Sequence, residues 1–164
     1  MLYLEYLFPA KPTQFHVVMK KTLFLCLALL LGFTGMAVAQ KLSPVGTWTN
    51  ADKKATFEIY KCGDKLCGKI VTVSVPNDPA TGKPKVDKNN PDPKLQSQPL
   101  LGLVFMRDFS YDSENKWDDG KIYDPENGKT YSCYMKVLSP TTMEVKGYIG
   151  FSVIGRSQTW TRVK

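Results

Sequence analysis

The chain has 164 residues, with 22 Lys and Arg against 15 Asp and Glu for a net charge of +7, four cysteines and a single histidine. That length suits one domain beside a short targeting segment, and the basic surplus lacks the runs interleaved with aromatics that would mark a nucleic-acid partner. The one imidazole, His16, falls in a part of the chain expected to be removed, which excludes Ser-His-Asp or Cys-His catalysis and a His-ligated metal from the mature protein.

Residues 1–18 have neither a basic start nor a globular pattern and read as an upstream extension, with Met19 the true initiator. Met19-Lys20-Lys21, an apolar stretch from Thr22 to Met36 and the site Ala37-Val38-Ala39 then follow in the order of a secretory signal peptide. Residues 19–39 are therefore expected to be cleaved and the mature chain to start at Gln40. As a membrane span the run is poor, because Gly32, Thr34 and Gly35 interrupt it and it falls short of the roughly 20 apolar residues needed. Leu23-Phe24-Leu25 ahead of Cys26 also lack the small residues of a lipidation site. Loss of Lys11, Lys20, Lys21 and Glu5 leaves 19 basic and 14 acidic residues, a net charge of +5. The expected location is periplasmic or secreted, in a Gram-negative-type bacterium, with no stable membrane span after processing.

Residues 40–164 show no internal repeat and no sustained helical spacing. They carry short alternating segments rich in β-branched and aromatic residues, bounded by Gly, Pro, Asn and Asp. The predicted strands are Val45–Thr49, Ala55–Cys62, Leu66–Val75, Leu101–Tyr111, Lys121–Asp124, Thr130–Leu138, Thr142–Ile149 and Arg156–Val163. The expected fold is all-β: one eight-stranded antiparallel up-and-down barrel, since eight is the count that closes a small barrel. Asp118-Asp119-Gly120, Asp124-Pro125-Glu126-Asn127-Gly128 and Ser139-Pro140-Thr141 read as turns between consecutive strands, which favours a meander over a Greek key.

Between the second and third strands, a tight turn at Asp64-Lys65 would set Cys62 and Cys67 opposite each other, close enough for a disulfide in an oxidising compartment. A Cys-x4-Cys redox or metal site is the rival, although metals want four ligands and only three thiols remain after processing. Cys133 is unpaired on this reading and sits in a strand pattern, as small buried apolar residues do. From Pro76 to Pro99 the chain carries six prolines and cannot be strand or long helix. A loop of that length is functional or disordered; Leu95, Leu100 and Leu101 would let it pack across one mouth of the barrel.

Several blocks together carry a likeness. Gly46-Thr47-Trp48, Cys67-Gly68-Lys69-Ile70, Asn90-Pro91-Asp92-Pro93, Gln98-Pro99-Leu100-Leu101-Gly102-Leu103, the run Gly120-Lys121-Ile122-Tyr123-Asp124-Pro125-Glu126-Asn127-Gly128-Lys129-Thr130-Tyr131, Gly147-Tyr148-Ile149-Gly150 and Gly155-Arg156-Ser157-Gln158-Thr159-Trp160-Thr161-Arg162 resemble the DUF2147 family of exported bacterial domains of unknown function. The resemblance implies a lipocalin-like (calycin) barrel and supplies no established activity or catalytic residues. A looser likeness is to lipocalins proper, in which Gly-x-Trp opens the first strand and a late Arg covers the Trp. Trp48 and Arg162 match that arrangement and are expected to be structural.

In the last strand Arg156, Gln158, Trp160 and Arg162 alternate onto one face, and Ser157, Thr159, Thr161 and Val163 onto the other. If the first face is inward, it could bind an amphipathic anion; the pattern does not decide the direction. Should Arg156 be buried, an acid such as Asp108 or a carboxylate ligand would have to balance it. Tyr123, Tyr131, Tyr148 and Trp117 add aromatic surface that could stack on a ligand, though packing is the commoner role of strand aromatics. Asp118, Asp119, Asp124 and Glu126 read as turn chemistry, since two acids on one turn lack the ligand count of a calcium loop. No nucleophile and base pair is visible, so no enzyme activity, cofactor or metal is expected. The residues instead point to a binding module for a small amphipathic anionic ligand through Arg156, Gln158, Trp160, Tyr123, Tyr131 and Tyr148, or to a filled-barrel interaction protein of the cell envelope with no ligand.

Overall fold

The computed structural model describes residues 42–163; the expected extension, signal peptide and cleavage site lie outside the described residues. Eight strands follow in order: β1 (Gly46–Thr49), β2 (Ala55–Cys62), β3 (Lys65–Val73), β4 (Val104–Tyr111), β5 (Lys116–Asp124), β6 (Lys129–Ser139), β7 (Thr142–Tyr148) and β8 (Gly155–Arg162). Each pairs antiparallel with its successor, and β8 returns to β1, so the sheet closes as a sequential barrel. This topology sends the β2–β3, β4–β5 and β6–β7 turns to one end, with the start of β1. The β1–β2, β3–β4, β5–β6 and β7–β8 connections occupy the other.

Period-two alternation explains the core. Phe57 and Ile59 on β2, Leu66, Gly68 and Ile70 on β3, Met135 and Val137 on β6, and Met143 and Val145 on β7 are buried, while the residues alternating with them face water or pair on the surface. Glu58 and Lys69, opposite each other in the β2–β3 register, form such an outer pair at 2.9 Å. Large side chains fill the interior: Trp48, Met106, Phe109, Met135 and Met143 are all fully buried.

The boundaries differ from expectation most at β5, which starts at Lys116 rather than Lys121. Asp118-Asp119-Gly120 is not a turn but a bulge inside that strand: Asp119 takes a φ of 61°, and the register shifts between Trp117, opposite Met135, and Gly120, opposite Cys133. An extra residue breaks the alternation and resembles a turn in sequence. The chain reverses instead at Asp112–Asn115, where Glu114 and Asn115 both have positive φ. The Asp124–Gly128 turn stands as read, with Asp124 Oδ1 accepting from the Glu126 amide and its carbonyl from the Gly128 amide.

Cys62 and Cys67 are bonded, with Cα atoms 5.8 Å apart. They are not directly opposed: the turn is Gly63-Asp64, Cys62 pairs with Lys65 and Cys67 with Tyr60, so the bond joins a diagonal that strand twist draws close. Cys133 is free and buried, and burial pushes its thiol well above the ordinary range, where it packs as an inert apolar residue.

The Pro-rich connection packs on the barrel, and of the three leucines expected to anchor it Leu100 alone does so. Leu95 and Leu101 are exposed, while Leu100 and Leu103 pack on the core. Isolated bridges Asn77 to Pro84 and Val86 to Pro99 and a short 3₁₀ turn at Pro93–Leu95 fold the segment on itself. Asn89 Nδ2 then donates to the carbonyls of Pro125 and Glu126, which ties it to the β5–β6 turn.

Candidate functional site

The two ends of the barrel differ in chemistry. At the end where β1 begins, the Arg162 guanidinium lies 4.2 Å from the Trp48 ring centroid. It donates to the carbonyls of Pro140, Val45 and Ser43 at 2.7, 2.9 and 2.7 Å. The indole N–H of the fully buried Trp48 donates to the Pro44 carbonyl. This end is plugged. Beside the plug, Leu42, Val45, Lys61, Leu66 and Trp117 line a shallow groove of about 240 Å³.

The opposite end holds the candidate mouth. Trp160 is buried, with its ring stacked on Phe57 at 4.5 Å, and Phe105 lies tilted against Phe57 at 4.9 Å. Because Trp160 points inward, alternation puts Gln158 and Arg156 on the same inner face, opposite Val145 and Gly147 of β7. Both are nonetheless exposed, since they stand near the start of β8, towards the β7–β8 connection. The acid expected to compensate a buried Arg156 is therefore unnecessary: the guanidinium is solvated, and Asp108 sits exposed in a β4 bulge with a φ of 71°.

Gln158 Oε1 accepts from the Trp160 indole N–H at 3.3 Å. An indole nitrogen only donates, so the amide oxygen is committed to it and the amide NH₂ is left as a donor. Among the described residues Arg156 makes no ion pair. Gly147 separates Arg156 from Cys133 across the sheet. A Cβ there would meet Ile122 and Tyr131 at 3.5 and 3.8 Å, so Gly147 lies against both side chains with room for no more than a methyl group in ordinary contact. The Tyr131 hydroxyl accepts from Asn127 Nδ2 at 3.1 Å.

Arg156, Gln158, Trp160 and Tyr131 are thus brought to one mouth; Tyr123 and Tyr148 are not. Tyr148, opposite Ser132, is on the outer face, where burial and the neighbouring Asp118 raise its hydroxyl above the usual range. Lys116 joins the same outer group through Asp118 and the Tyr134 ring. Trp117 packs in the core, edge-on to Tyr111 at 5.3 Å.

Tyr123 alternates with Ile122 onto the outer face but is buried beneath the Pro-rich connection. Its hydroxyl donates to Oδ1 of the fully buried Asp87 at 2.8 Å, and Asn90 Nδ2 donates to Oδ2 at 2.7 Å. Residues 36 apart in sequence form this latch, and no local pattern announces it. Burial, with Asp87 second, pushes the Tyr123 hydroxyl from 10.0 up to about 12. The fold thus favours the neutral phenol, so the contribution to stability is whole below pH 10 and is lost as pH rises through about 12. Tyr123→Phe should leave an acceptor of Asp87 unsatisfied, costing about 1–3 kcal/mol. It should speed protease cleavage within residues 76–103 and abolish a tyrosinate absorbance step near pH 12. Unchanged cleavage and an unchanged alkaline titration would remove the latch.

Among the described residues no group of three His, Cys, Asp or Glu could hold a metal ion, and no helix is long and apolar enough to cross a membrane.

A closed eight-stranded meander, plugged at one end by an Arg over a Trp, defines a lipocalin-like barrel. Its relatives agree. The chain belongs to the DUF2147 family, described as an uncharacterized protein conserved in bacteria, whose model matches residues 46–162. Among solved structures it is similar to protein HP1028 of Helicobacter pylori, described as belonging to the lipocalin family. The identity is 23% and the TM-score 0.66, over 75% of this chain and 84% of that one. At that identity the likeness shows the fold. No curated protein matches the chain.

Proposed function

We propose that this is an exported barrel, with Gln40 the first residue after processing of 19–39, that binds a small amphipathic anion at its mouth. The observation that carries this reading is one inner strand face, Arg156, Gln158 and Trp160 on β8. It offers a solvated cation, an amide donor and aromatic area in sequence. A carboxylate or similar head group would take hydrogen bonds from Arg156 and from the Gln158 NH₂. Its apolar part would lie over Gly147, where no side chain projects, and against the Trp160–Phe57–Phe105 layer, with Tyr131 beside it. The interior below that layer is filled, and Met106, Met135 and Met143 are its adaptable members. Tyr123 and Tyr148 take no part in this narrower site.

The test is titration of a fluorescent fatty acid into delipidated protein recovered from the periplasm, whose first residue should be Gln40. Because Arg156 is exposed, its hydrogen bonds to the ligand belong at the weak end of the charge-assisted range, about 1.5 kcal/mol. Arg156→Ala should therefore weaken binding about tenfold, and Gly147→Leu, which puts a side chain in that place, should abolish it. No saturable binding by the wild type, or equal binding by Arg156→Ala, would sink the proposal. The second reading, an interaction barrel of the cell envelope without a ligand, would then stand, and the densely filled interior favours it.

A further inference from the structure

The β7–β8 connection lies at the open end and carries an apolar tip that the ligand site does not use. Ile149, Phe151, Val153 and Ile154 are 72, 80, 83 and 70% exposed. Tyr148 pairs with Gly155 at the base, and the Ile154 amide donates to the Phe151 carbonyl at 3.0 Å. The tip is therefore a tight turn on paired strands, and its side chains splay outward.

We propose that this tip docks the barrel, mouth first, onto an anionic lipid surface. Charge complementarity selects that occupant. Between Glu144 and Arg162, which belongs to the plugged end, the charged residues are Lys146 and Arg156, both cations. Lys146 and Arg156 flank the tip. On the adjoining β1–β2 and β5–β6 connections Lys53, Lys54 and Lys129 balance Asp52, Asp124 and Glu126, so the cationic excess there is that of Lys146 and Arg156. Apolar side chains of this kind settle at the boundary between head groups and acyl chains, while flanking cations meet lipid phosphates. A second copy fits less well. A six-residue tip presents on the order of a few hundred Å² of apolar surface, below the roughly 800 Å² per partner of a stable interface, and two copies would bring like charges together. The docking does not rest on ligand binding: a barrel with an empty mouth presents the same tip.

Every barrel pairing lies within residues 46–162, so the chain beginning at Gln40 retains the whole fold and serves for the experiment. Flotation with vesicles of phosphatidylcholine, alone or mixed with phosphatidylglycerol, should show binding to the mixed vesicles that weakens as salt is raised. The double variant Phe151→Ser/Val153→Ser should keep the wild-type melting temperature, because both side chains already face water. It should lose at least tenfold in vesicle partitioning while still binding fatty acid in solution if the mouth does so. Failure to float with either vesicle, or equal flotation by the double variant, overturns the proposal. Concentration-dependent self-association that the double substitution abolishes also overturns it, by assigning the tip to a second copy.

Discussion

Arg162→Ala is expected to destabilise the barrel by about 2–4 kcal/mol, a fall in melting temperature on the order of 10 °C for a domain of this size. The reason lies in the seam. β1 and β8 share two register pairs, Trp48 with Arg162 and Thr49 with Thr161, so backbone pairing closes the barrel weakly there. The Arg162 side chain adds the missing restraint. Its three hydrogen bonds hold the segment before β1 at Ser43 and Val45 and the β6–β7 turn at Pro140, while its plane covers the Trp48 ring. Alanine leaves three carbonyls and one indole face to be resolvated together. Arg162→Lys should recover less than half the loss, because an ammonium cannot span three carbonyls as a planar fork does. Urea denaturation of wild type and both variants measures this. A loss below about 0.5 kcal/mol, the size of an ordinary surface substitution, would show that the seam does not depend on the side chain.

Gly120→Ala is expected to cost about 3 kcal/mol, the upper part of the overpacking range. A Cβ at this position would fall 2.3 to 2.4 Å from three atoms of the Phe109 ring. The ring has nowhere to withdraw: Phe109 is fully buried, opposite Leu66 on its other side. The two β-bulges make this close approach. The one at Asp108 turns Phe109 inward, and the one at Asp118-Asp119 sets Gly120 beneath it. The discriminating measurement is a double-mutant cycle with Phe109→Ala, which alone should cost about 3–5 kcal/mol as a cavity. With the ring gone the added methyl has room, so the two losses should fall well short of additive. Strict additivity would place the cost of Gly120→Ala somewhere other than the ring.

Alternation, turn residues and cysteine spacing, all local properties, were enough to read an all-β chain with eight strands in meander order and the Cys62–Cys67 bond. Where the local pattern was interrupted, the reading slipped. Asp118-Asp119-Gly120 has turn composition, and the residue in positive φ there is an aspartate rather than the glycine, so the first five residues of β5, the inward Trp117 among them, do not read as strand. The likeness of Trp48 and Arg162 to the lipocalin arrangement was legible because both lie at strand ends that any closed meander of this order brings together.

Tertiary structure alone decided which way the faces point. The β8 sequence separates Arg156, Gln158 and Trp160 from Ser157 and Thr159, but period two labels the faces without saying which is inside; stacking of Trp160 on Phe57 settles it. The same holds for burial along one face, since Trp160 lies within the closed sheet and Arg156 at its rim. Tyr123 has the composition of a ligand contact and becomes a latch because Asp87, 36 residues away, folds back over it. Strand identity follows from interactions between near neighbours in the chain. Direction, depth and partnership follow from ring closure and from where a long connection comes to rest, and those are set by contacts between residues far apart in sequence.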